Sequence, residues 1–255
     1  MTCKVSDMSV LLESTNEAFY WTGFLLADGH FSRGNRVRVA LSRKDEAHLM
    51  KFASFIGYTG STGTDLHSVS VSAMDTSVIE ELRKRYKVSP RKTYQPVHIP
   101  EMESDHLLSL VCGFVDGDGS VCKMVGRRDC IFRIKCHRNW LHVLKNFSIV
   151  MFDRDYAVIN KCGYAEVSVV DHAALKNLKT RALRLNIPLM GRKWDTIDCS
   201  YINRTEVARH KEGVVRQLVS EGLSNVEIAR HMSVSRSNIT QIMRRIGLKN
   251  DNNRR

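Results

Sequence analysis

Two aspartates stand at matching places in the sequence and could bind divalent cations together. Asp28 lies in Phe19–Phe31 (FYWTGFLLADGHF) and Asp118 in Leu110–Val121 (LVCGFVDGDGSV), each after a long apolar run and directly before a glycine. A single Asp-Gly usually marks a turn, but two copies after near-featureless apolar runs weaken that interpretation. Carboxylate oxygens suit Mg²⁺ or Mn²⁺, and such ions can promote hydrolysis of a phosphodiester.

Each apolar run is predicted to form a helix, over Trp21–Gly29 and Val111–Gly119. Small residues recur four positions apart and therefore share one helix face. Such residues let two helix backbones approach closely, so the two helices are expected to pack together about a pseudo-twofold axis. The small pairs are Gly23 with Ala27 and Gly113 with Gly117.

This packing would place Asp28 and Asp118 at adjacent helix ends. The C-terminus of a helix carries partial negative charge, and two neighbouring carboxylates repel each other. A divalent cation would reverse both penalties. The sequence therefore favours a metal site at the base of the helix pair.

The surroundings of each run also repeat, in the order strand, helix, strand, helix and a closing Arg-Lys pair. Alternating apolar and polar residues predict the strands. The matching segments are Arg36–Leu41 and Ile131–Cys136, Asp45–Ile56 and Asn139–Phe152, His67–Ser72 and Ala165–Val170, Thr76–Tyr86 and His172–Leu185, and then Lys92 and Lys193. We predict an α+β fold with two pseudo-symmetric αββαββα repeats, which form a saddle of antiparallel sheets packed through two central helices.

One face of the predicted saddle is basic, which favours DNA as the ligand. A β-ribbon fits the major groove, where Arg and Lys pair with guanine edges or phosphates. A sheet face that only contacts water usually mixes both charge signs. The outward residues are expected to be Arg33, Arg36 and Arg38 in the first repeat, Arg133, Lys135 and His137 in the second, and serines such as Ser70.

Beyond about residue 200 the pattern changes to short helices, predicted at Val214–Ser220, Asn225–Met232 and Ser235–Ile246. The last two, joined by a tight turn, resemble a helix-turn-helix of the resolvase or sigma-factor type. A helical hairpin that packs on the main body is the alternative. The candidate DNA-contacting residues are Arg236, Ser237, Asn238, Gln241 and Arg244.

The two motifs resemble those of the LAGLIDADG homing endonucleases in their single-chain form, and the resemblance covers roughly residues 17–198. It implies that Asp28 and Asp118 bind the catalytic metal ions. The carbonyl oxygens of Ala27 and Gly117 would be further ligands. The cofactor is expected to be Mg²⁺, with Mn²⁺ as the alternative.

The same resemblance makes Lys92 and Lys193 the basic catalytic candidates, since family members carry a basic residue near the end of each repeat. It implies hydrolysis of one phosphodiester in each strand of double-stranded DNA, leaving short 3′ overhangs. Because the repeats differ in sequence, the target site is expected to be long and non-palindromic. Such an enzyme would promote mobility of its own intron or gene.

Composition agrees with a DNA-binding protein. The 255 residues include 39 Lys and Arg against 27 Asp and Glu, a formal net charge of +12. A polyanion is therefore the first partner to consider. Seven cysteines without a C-x-x-C pair indicate reduced thiols. No apolar run reaches membrane-spanning length and no secretory signal is evident, so we expect the protein in the cytoplasm or an organelle. The resemblance to the single-chain form with two motifs implies a monomer.

The predicted organisation is an N-terminal segment (1–16), two repeats (17–100 and 101–200) and a helix-turn-helix domain with a basic tail (201–255). Two other functions remain open. Bacterial sporulation regulators of the WhiA type join a similar body to a helix-turn-helix, but their motifs have typically lost the metal-binding acids. A maturase that binds its host intron RNA is the other alternative, and it could coexist with cleavage.

Overall fold

The computed structural model describes residues 6–32, 35–89, 92–124, 129–200 and 204–248. Arg33, expected to face DNA, lies outside the described residues. So does the basic tail from residue 249 onward. The chain divides into two compact units, Met1–Asp198 and Cys199–Arg255.

The first unit contains the two predicted repeats. The first repeat consists of α1 (Asn16–Asp28), β1 (His30–Phe31), β2 (Arg36–Ser42), α2 (Glu46–Phe55), β3 (Gly63–Thr64), β4 (Ser68–Met74) and α3 (Thr76–Tyr86). The second consists of α4 (Ser104–Asp118), β5 (Gly119–Lys123), β6 (Cys130–His137), α5 (Leu141–Phe152), β7 (Ala157–Ile159), β8 (Tyr164–Val169), α6 (His172–Arg184) and α7 (Gly191–Trp194). The element order is thus the same in both, except that the short helix α7 is added at the end of the second.

Each repeat forms a four-stranded antiparallel sheet, in the order β1-β2-β4-β3 or β5-β6-β8-β7. The alternating pattern decides which face is buried: in β2, Val37, Val39 and Leu41 are buried, whereas Arg36 and Arg38 are exposed. The predicted α+β fold of two symmetric repeats is therefore confirmed.

The two central helices, α1 and α4, pack at very short range through their glycines. A Cβ on Gly113 would overlap the carbonyl oxygen of Tyr20, and a Cβ on Gly23 would overlap that of Leu110. Both obstacles are backbone atoms, which cannot turn aside as a side chain can. The small residues therefore allow the close packing of the two helices that the sequence predicted.

Both central helices begin earlier than predicted, at Asn16 and Ser104 rather than Trp21 and Val111. The first turn of α1 is polar, which hid it from a search for apolar residues. The Thr15 side chain accepts a hydrogen bond from the Ala18 amide at 3.1 Å and caps this helix.

The second unit consists of α8 (Arg204–Ser220), α9 (Asn225–His231) and α10 (Arg236–Arg245) around a small apolar core. The prediction that its first helix starts at Val214 was wrong. Gly213 is inside α8, where a glycine lowers helix stability without ending the helix. A capping box between Ser224 and Glu227 begins α9. In the described part of the chain, no helix is both long and apolar enough to cross a membrane.

Candidate active site

The two predicted carboxylates lie at the ends of the central helices. Asp28 is the last residue of α1 and Asp118 the last residue of α4. The helix ends touch, because a Cβ on Gly117 would overlap the Cβ of Ala27 and lie 3.2 Å from the Asp28 amide nitrogen. Asp28 is half-buried and Asp118 is exposed on one side. The structure therefore brings both acids to one place open to solvent.

The negatively charged form of each carboxylate is disfavoured in the folded protein. Partial desolvation raises the pKa of Asp28, although Lys193 and Lys92 oppose the shift. Desolvation and then the charge of Asp28 raise the pKa of Asp118 to about 6. The two groups therefore repel each other across the helix pair, as the sequence predicted for adjacent helix ends.

The two lysines cover the ends of the same helices. Lys92 Nζ donates to the carbonyl oxygens of Leu25 (3.2 Å), Leu26 (2.9 Å) and Ala27. A cation here offsets the partial negative charge of the helix end. Burial lowers the pKa of Lys92 to about 8, against the opposing charges of Asp118 and Asp28.

Lys193 repeats this arrangement on α4. Its Nζ donates to the carbonyl oxygens of Val115 (3.2 Å), Asp116 (2.5 Å) and Gly117 (3.2 Å). Burial lowers the pKa of Lys193 as well, with Asp116 the largest opposing charge. The carbonyl oxygens of Ala27 and Gly117, which the resemblance proposes as metal ligands, thus each accept a lysine hydrogen bond.

The raised pKa of Asp118 predicts a pH-dependent gain in stability for Asp118→Asn. The folded wild type holds an extra proton between the unfolded pKa near 4 and the folded pKa of about 6, so its stability falls as pH rises through that window. We expect the variant to melt above wild type at pH 7.5, and the gap to shrink at pH 4.5. Differential scanning fluorimetry at both pH values measures this gap.

Asp65→Asn is the control of opposite sign. Hydrogen bonds from Ser68 and His67 lower the pKa of Asp65 to about 2, so its charge stabilises the fold above that pH. This variant is expected to melt below wild type at both pH values. An Asp118→Asn protein that also melted lower at pH 7.5 would contradict the electrostatic picture of the site.

Asp116, next to this site, has a structural role. It is 1% exposed, and its carboxylate accepts hydrogen bonds from the Tyr20 hydroxyl (2.6 Å), the Trp194 indole (2.7 Å) and the Met190 amide (2.9 Å). With both oxygens bonded and solvent excluded, it is unavailable to a ligand. It ties α4 to α1 and to the segment that carries Lys193.

A cavity of about 530 Å³ opens beside Asp118. The cavity is lined by residues of the helix ends, of the Lys92 segment and of strand β6 with the strand beside it. These residues include Ala27, Lys92, Asp118, Lys135, His137 and Tyr164. Acidic, basic and hydrogen-bonding groups therefore converge where an anionic ligand could approach the helix ends.

The basic sheet faces differ between the repeats. In the first sheet, Arg36 and Arg38 are exposed, and Arg38 donates to Ser70 Oγ at 3.2 Å. Ser70 was expected in the outward row, but it is buried because the Arg38 side chain and the Gly63 backbone cover it. The exposed face of the first sheet therefore presents the arginine side chains, whereas Ser70 lies beneath them.

In the second sheet Arg133 and Lys135 are exposed, and both lie near Glu166, at 3.8 and 3.6 Å. His137 is half-buried against the ring of Tyr94, with centroids 5.2 Å apart. The face is therefore basic with one carboxylate among its cations.

In the second unit, α10 exposes the polar row that the sequence indicated. The four-residue turn before it contains Ser233 at φ 52°, and Ser235 caps the helix through the Asn238 amide at 3.2 Å. Ile239, Ile242 and Met243 face the core. The exposed residues are Arg236, Ser237, Asn238, Gln241 and Arg244.

No family model matches this sequence, and no curated protein matches it either. Solved structures do. I-GzeII, described as a LAGLIDADG homing endonuclease in complex with its DNA target, matches with a TM-score of 0.51 and 14% identity, over 88% of this chain and 96% of that one. The chain has the LAGLIDADG homing endonuclease fold.

Two structures of I-SmaMI agree with this assignment of the fold. A variant with one lysine replaced by alanine matches with a TM-score of 0.50 and 14% identity, over 70% of this chain and 87% of that one. A variant with two such replacements has a TM-score of 0.50 and 13% identity, over 79% and 92%. We therefore call α1 and α4 the LAGLIDADG helices.

Two contacts beside the LAGLIDADG helices have no signal in the sequence. Arg192 donates to both carboxylate oxygens of Asp45, at 2.5 and 2.8 Å. The Trp140 indole donates to the backbone oxygens of Lys92 (3.1 Å) and Thr93 (3.2 Å). The partners lie far apart in the chain and in different repeats, so only the tertiary fold brings them together.

Proposed function

We propose that this protein is a site-specific DNA endonuclease of the homing type, which requires a divalent metal and cuts both strands of a long, non-palindromic duplex site. The products carry short 3′ overhangs, and the cut promotes mobility of the protein's own intron or gene. It acts as a monomer, because one chain supplies both halves of the site.

The observation that carries this proposal is the pairing of Asp28 and Asp118 at touching helix ends. Their mutual repulsion and partial desolvation make the pair unfavourable without a cation. A protein that only bound DNA would gain stability by replacing either acid. We infer that the acids are kept for their chemistry.

The donor set fits Mg²⁺ or Mn²⁺. Oxygen ligands predominate, as these hard cations prefer. Within the described residues, no three His, Cys, Asp or Glu side chains cluster as a metal site, so Asp28 and Asp118 would hold the ions with backbone and phosphate oxygens. The carbonyl oxygens of Ala27 and Gly117 accept from lysines, yet each has a second lone pair. When bound, the ions would supply Lewis-acid stabilisation of charge on the attacking and leaving oxygens.

Lys92 and Lys193 would complete the site electrostatically. Each ammonium is held against a helix end by backbone carbonyls, and a preorganised cation stabilises a developing phosphate charge without reorganising. With a pKa of about 8, the Lys92 ammonium is still mainly protonated at pH 7 and can act as this cation.

The two sheets would read the DNA on either side of the cut. Arg36 and Arg38 on β2, and Arg133, Lys135 and His137 on β6, supply cations and donors for base edges and phosphates. Glu166, beside two of these cations, makes the second face chemically different from the first. A non-palindromic target follows from that difference.

We propose that α10 of the second unit adds affinity by binding DNA. Replacing Arg236 or Arg244 with alanine is expected to weaken binding about tenfold, as expected for one arginine contact to a base or phosphate. Arg209→Ala on α8 is the charge-matched control and should change affinity less than twofold. Fluorescence anisotropy measures the dissociation constants.

The cleavage rate at saturating enzyme should stay unchanged in the α10 variants, because the proposed chemistry uses only groups of the first unit. A similar loss of affinity in all three variants would indicate only a general effect of charge. Unchanged affinity in both α10 variants would remove α10 from the DNA interface.

The proposed activity is tested on duplexes selected for binding from a randomised library in the presence of EDTA. The selected duplex, labelled on each strand, is incubated with wild-type protein and either Mg²⁺, Mn²⁺ or no divalent ion. We expect both strands to be cut at offset positions that leave 3′ ends protruding, and only when a divalent ion is present. Binding of the duplex without cleavage in any of the ions would favour the transcriptional regulator. Preferential binding of intron RNA over the duplex would favour the maturase.

A further inference from the structure

The segment that carries each lysine is attached to the opposite repeat. Lys193 lies in α7, at the end of the second repeat, and its neighbour Arg192 pairs with Asp45 of the first repeat. Lys92 lies in the segment after α3, at the end of the first repeat, and its backbone oxygen accepts from Trp140 of the second. Both lysine ammonium groups nevertheless end on the helix of their own repeat.

The Asp45–Arg192 ion pair connects the two repeats in place of a local helix cap. Asp45 immediately precedes α2, a position where aspartate usually caps the helix. Among the described residues, its side chain makes no such cap, and both its oxygens point instead to a guanidinium 147 residues away. Asp45 is 8% exposed, and a bidentate Arg–carboxylate pair fixes orientation as well as distance.

The Trp140 contact is its counterpart in the other repeat. Trp140 is buried and precedes α5 as Asp45 precedes α2. Its indole donates to two consecutive carbonyl oxygens, those of Lys92 and Thr93. The adjacent Asn139 side chain donates to the Tyr94 carbonyl oxygen at 2.9 Å. Three hydrogen bonds thus hold the segment that contains Lys92.

Neither lysine segment could hold its position alone. The helix α7 has four residues, too few to be stable without tertiary contacts. The segment from Lys92 to Gln95 is a turn, with no helix or strand of its own. A misplacement of about 1 Å at a reacting centre can cost about a hundredfold in rate. These anchors, together with the Asp116 contacts to the Lys193 segment and the lysines' own bonds to helix-end carbonyls, therefore determine where each ammonium can act.

We propose that Asp45, Arg192 and Trp140 are positioning residues, through which each repeat fixes the lysine of the other half-site. This proposal rests on the endonuclease function proposed above. The Asp45–Arg192 pair sets the reactivity of the half-site that uses Lys193, and Trp140 sets that of the half-site that uses Lys92. Breaking one anchor therefore slows one DNA strand more than the other.

The test is single-turnover cleavage of the selected duplex with separate labels on its two strands. Lys193→Met and Lys92→Met first identify the strand that each lysine serves. Asp45→Ala and Arg192→Met are then expected to slow the Lys193 strand about tenfold and the other strand less than twofold. Trp140→Phe keeps the aromatic ring but removes its donor, and it should slow the Lys92 strand instead.

Two further readouts separate positioning from a general loss of structure. The double variant Asp45→Ala/Arg192→Met should be no slower than either single variant, because both remove the same contact. Arg192→Lys, which keeps the charge, should recover part of the lost rate. DNA affinity should stay within twofold of wild type, and Lys145→Ala, which breaks an ion pair with Asp155, should leave the strand ratio unchanged.

The possible outcomes distinguish the proposed positioning roles from the endonuclease function on which they rest. An inert wild type would contradict the proposed function. An active wild type, combined with lysine variants that cleave both strands at the wild-type rate, would contradict the lysine roles and the positioning roles with them, but not the proposed function. Lysine variants that slow their strands, combined with Asp45, Arg192 and Trp140 variants that slow both strands equally, would overturn the positioning roles alone. Additive effects in the double variant would do the same.

Discussion

Asp118→Asn is expected to slow Mg²⁺-dependent cleavage of both DNA strands at least about a thousandfold, equivalent to about 4 kcal/mol of transition-state stabilisation. Asparagine keeps the shape of the side chain but loses the negative charge that would hold a cation at the helix end. Asp28→Asn should have the same effect, since the two acids occupy equivalent positions. Single-turnover rates on the selected duplex measure the loss.

The matched control for this prediction is Asp105→Asn, at the other end of the same helix. Asp105 lies in the first turn of α4 and is exposed, so its replacement should leave the cleavage rate within twofold of wild type. Both variants should bind the duplex as wild type does in EDTA. Cleavage by Asp118→Asn at the wild-type rate would remove this acid from the chemistry.

Gly113→Ala is expected to destabilise the first unit by about 3 kcal/mol or more, at the upper end of overpacking costs. The added methyl would overlap the Tyr20 carbonyl oxygen and lie 2.8 Å from the Phe24 amide nitrogen, and neither backbone atom can move without shifting α1. Gly23→Ala should cost as much, because it meets the Leu110 backbone. Urea denaturation gives the free energy of unfolding.

Gly213→Ala is the control, since it makes the same change at another helical glycine. Apart from the neighbouring residues and the backbone of its own helix, no atom of the described residues lies within 4 Å of a Cβ placed there, so the change should stabilise α8 by about 1 kcal/mol through helix propensity. Wild-type stability of Gly113→Ala would show that the LAGLIDADG helices can separate freely. The shared acid site would then lack its structural support.

The sequence predicted the fold and the acid pair because those depend on short, repeated patterns. Period-two strands, glycines spaced by one helical turn and an Asp-Gly at each helix end can be recognised within about ten residues, and duplication supports each one. Asp28 and Asp118 come to adjacent helix ends because Gly23 and Gly113 let the two helix backbones approach closely.

Contacts between distant residues escaped prediction for a physical reason. An aspartate before a helix, such as Asp45, has a local explanation as a cap, and nothing nearby reveals that its partner is Arg192. The buried bonds of Asp116 to Tyr20 and Trp194 also depend on how the two helices cross. The lysine contacts to helix-end carbonyls likewise require the folded path of each closing segment.

Manganese located by anomalous scattering in crystals of the DNA complex tests most directly whether the two helix ends jointly hold divalent ions. The account predicts anomalous peaks within coordination distance of the Asp28 and Asp118 carboxylates and of a DNA phosphate, and their weakening in Asp118→Asn crystals. Bound DNA with manganese only at other positions, or with none between these two carboxylates, would contradict it.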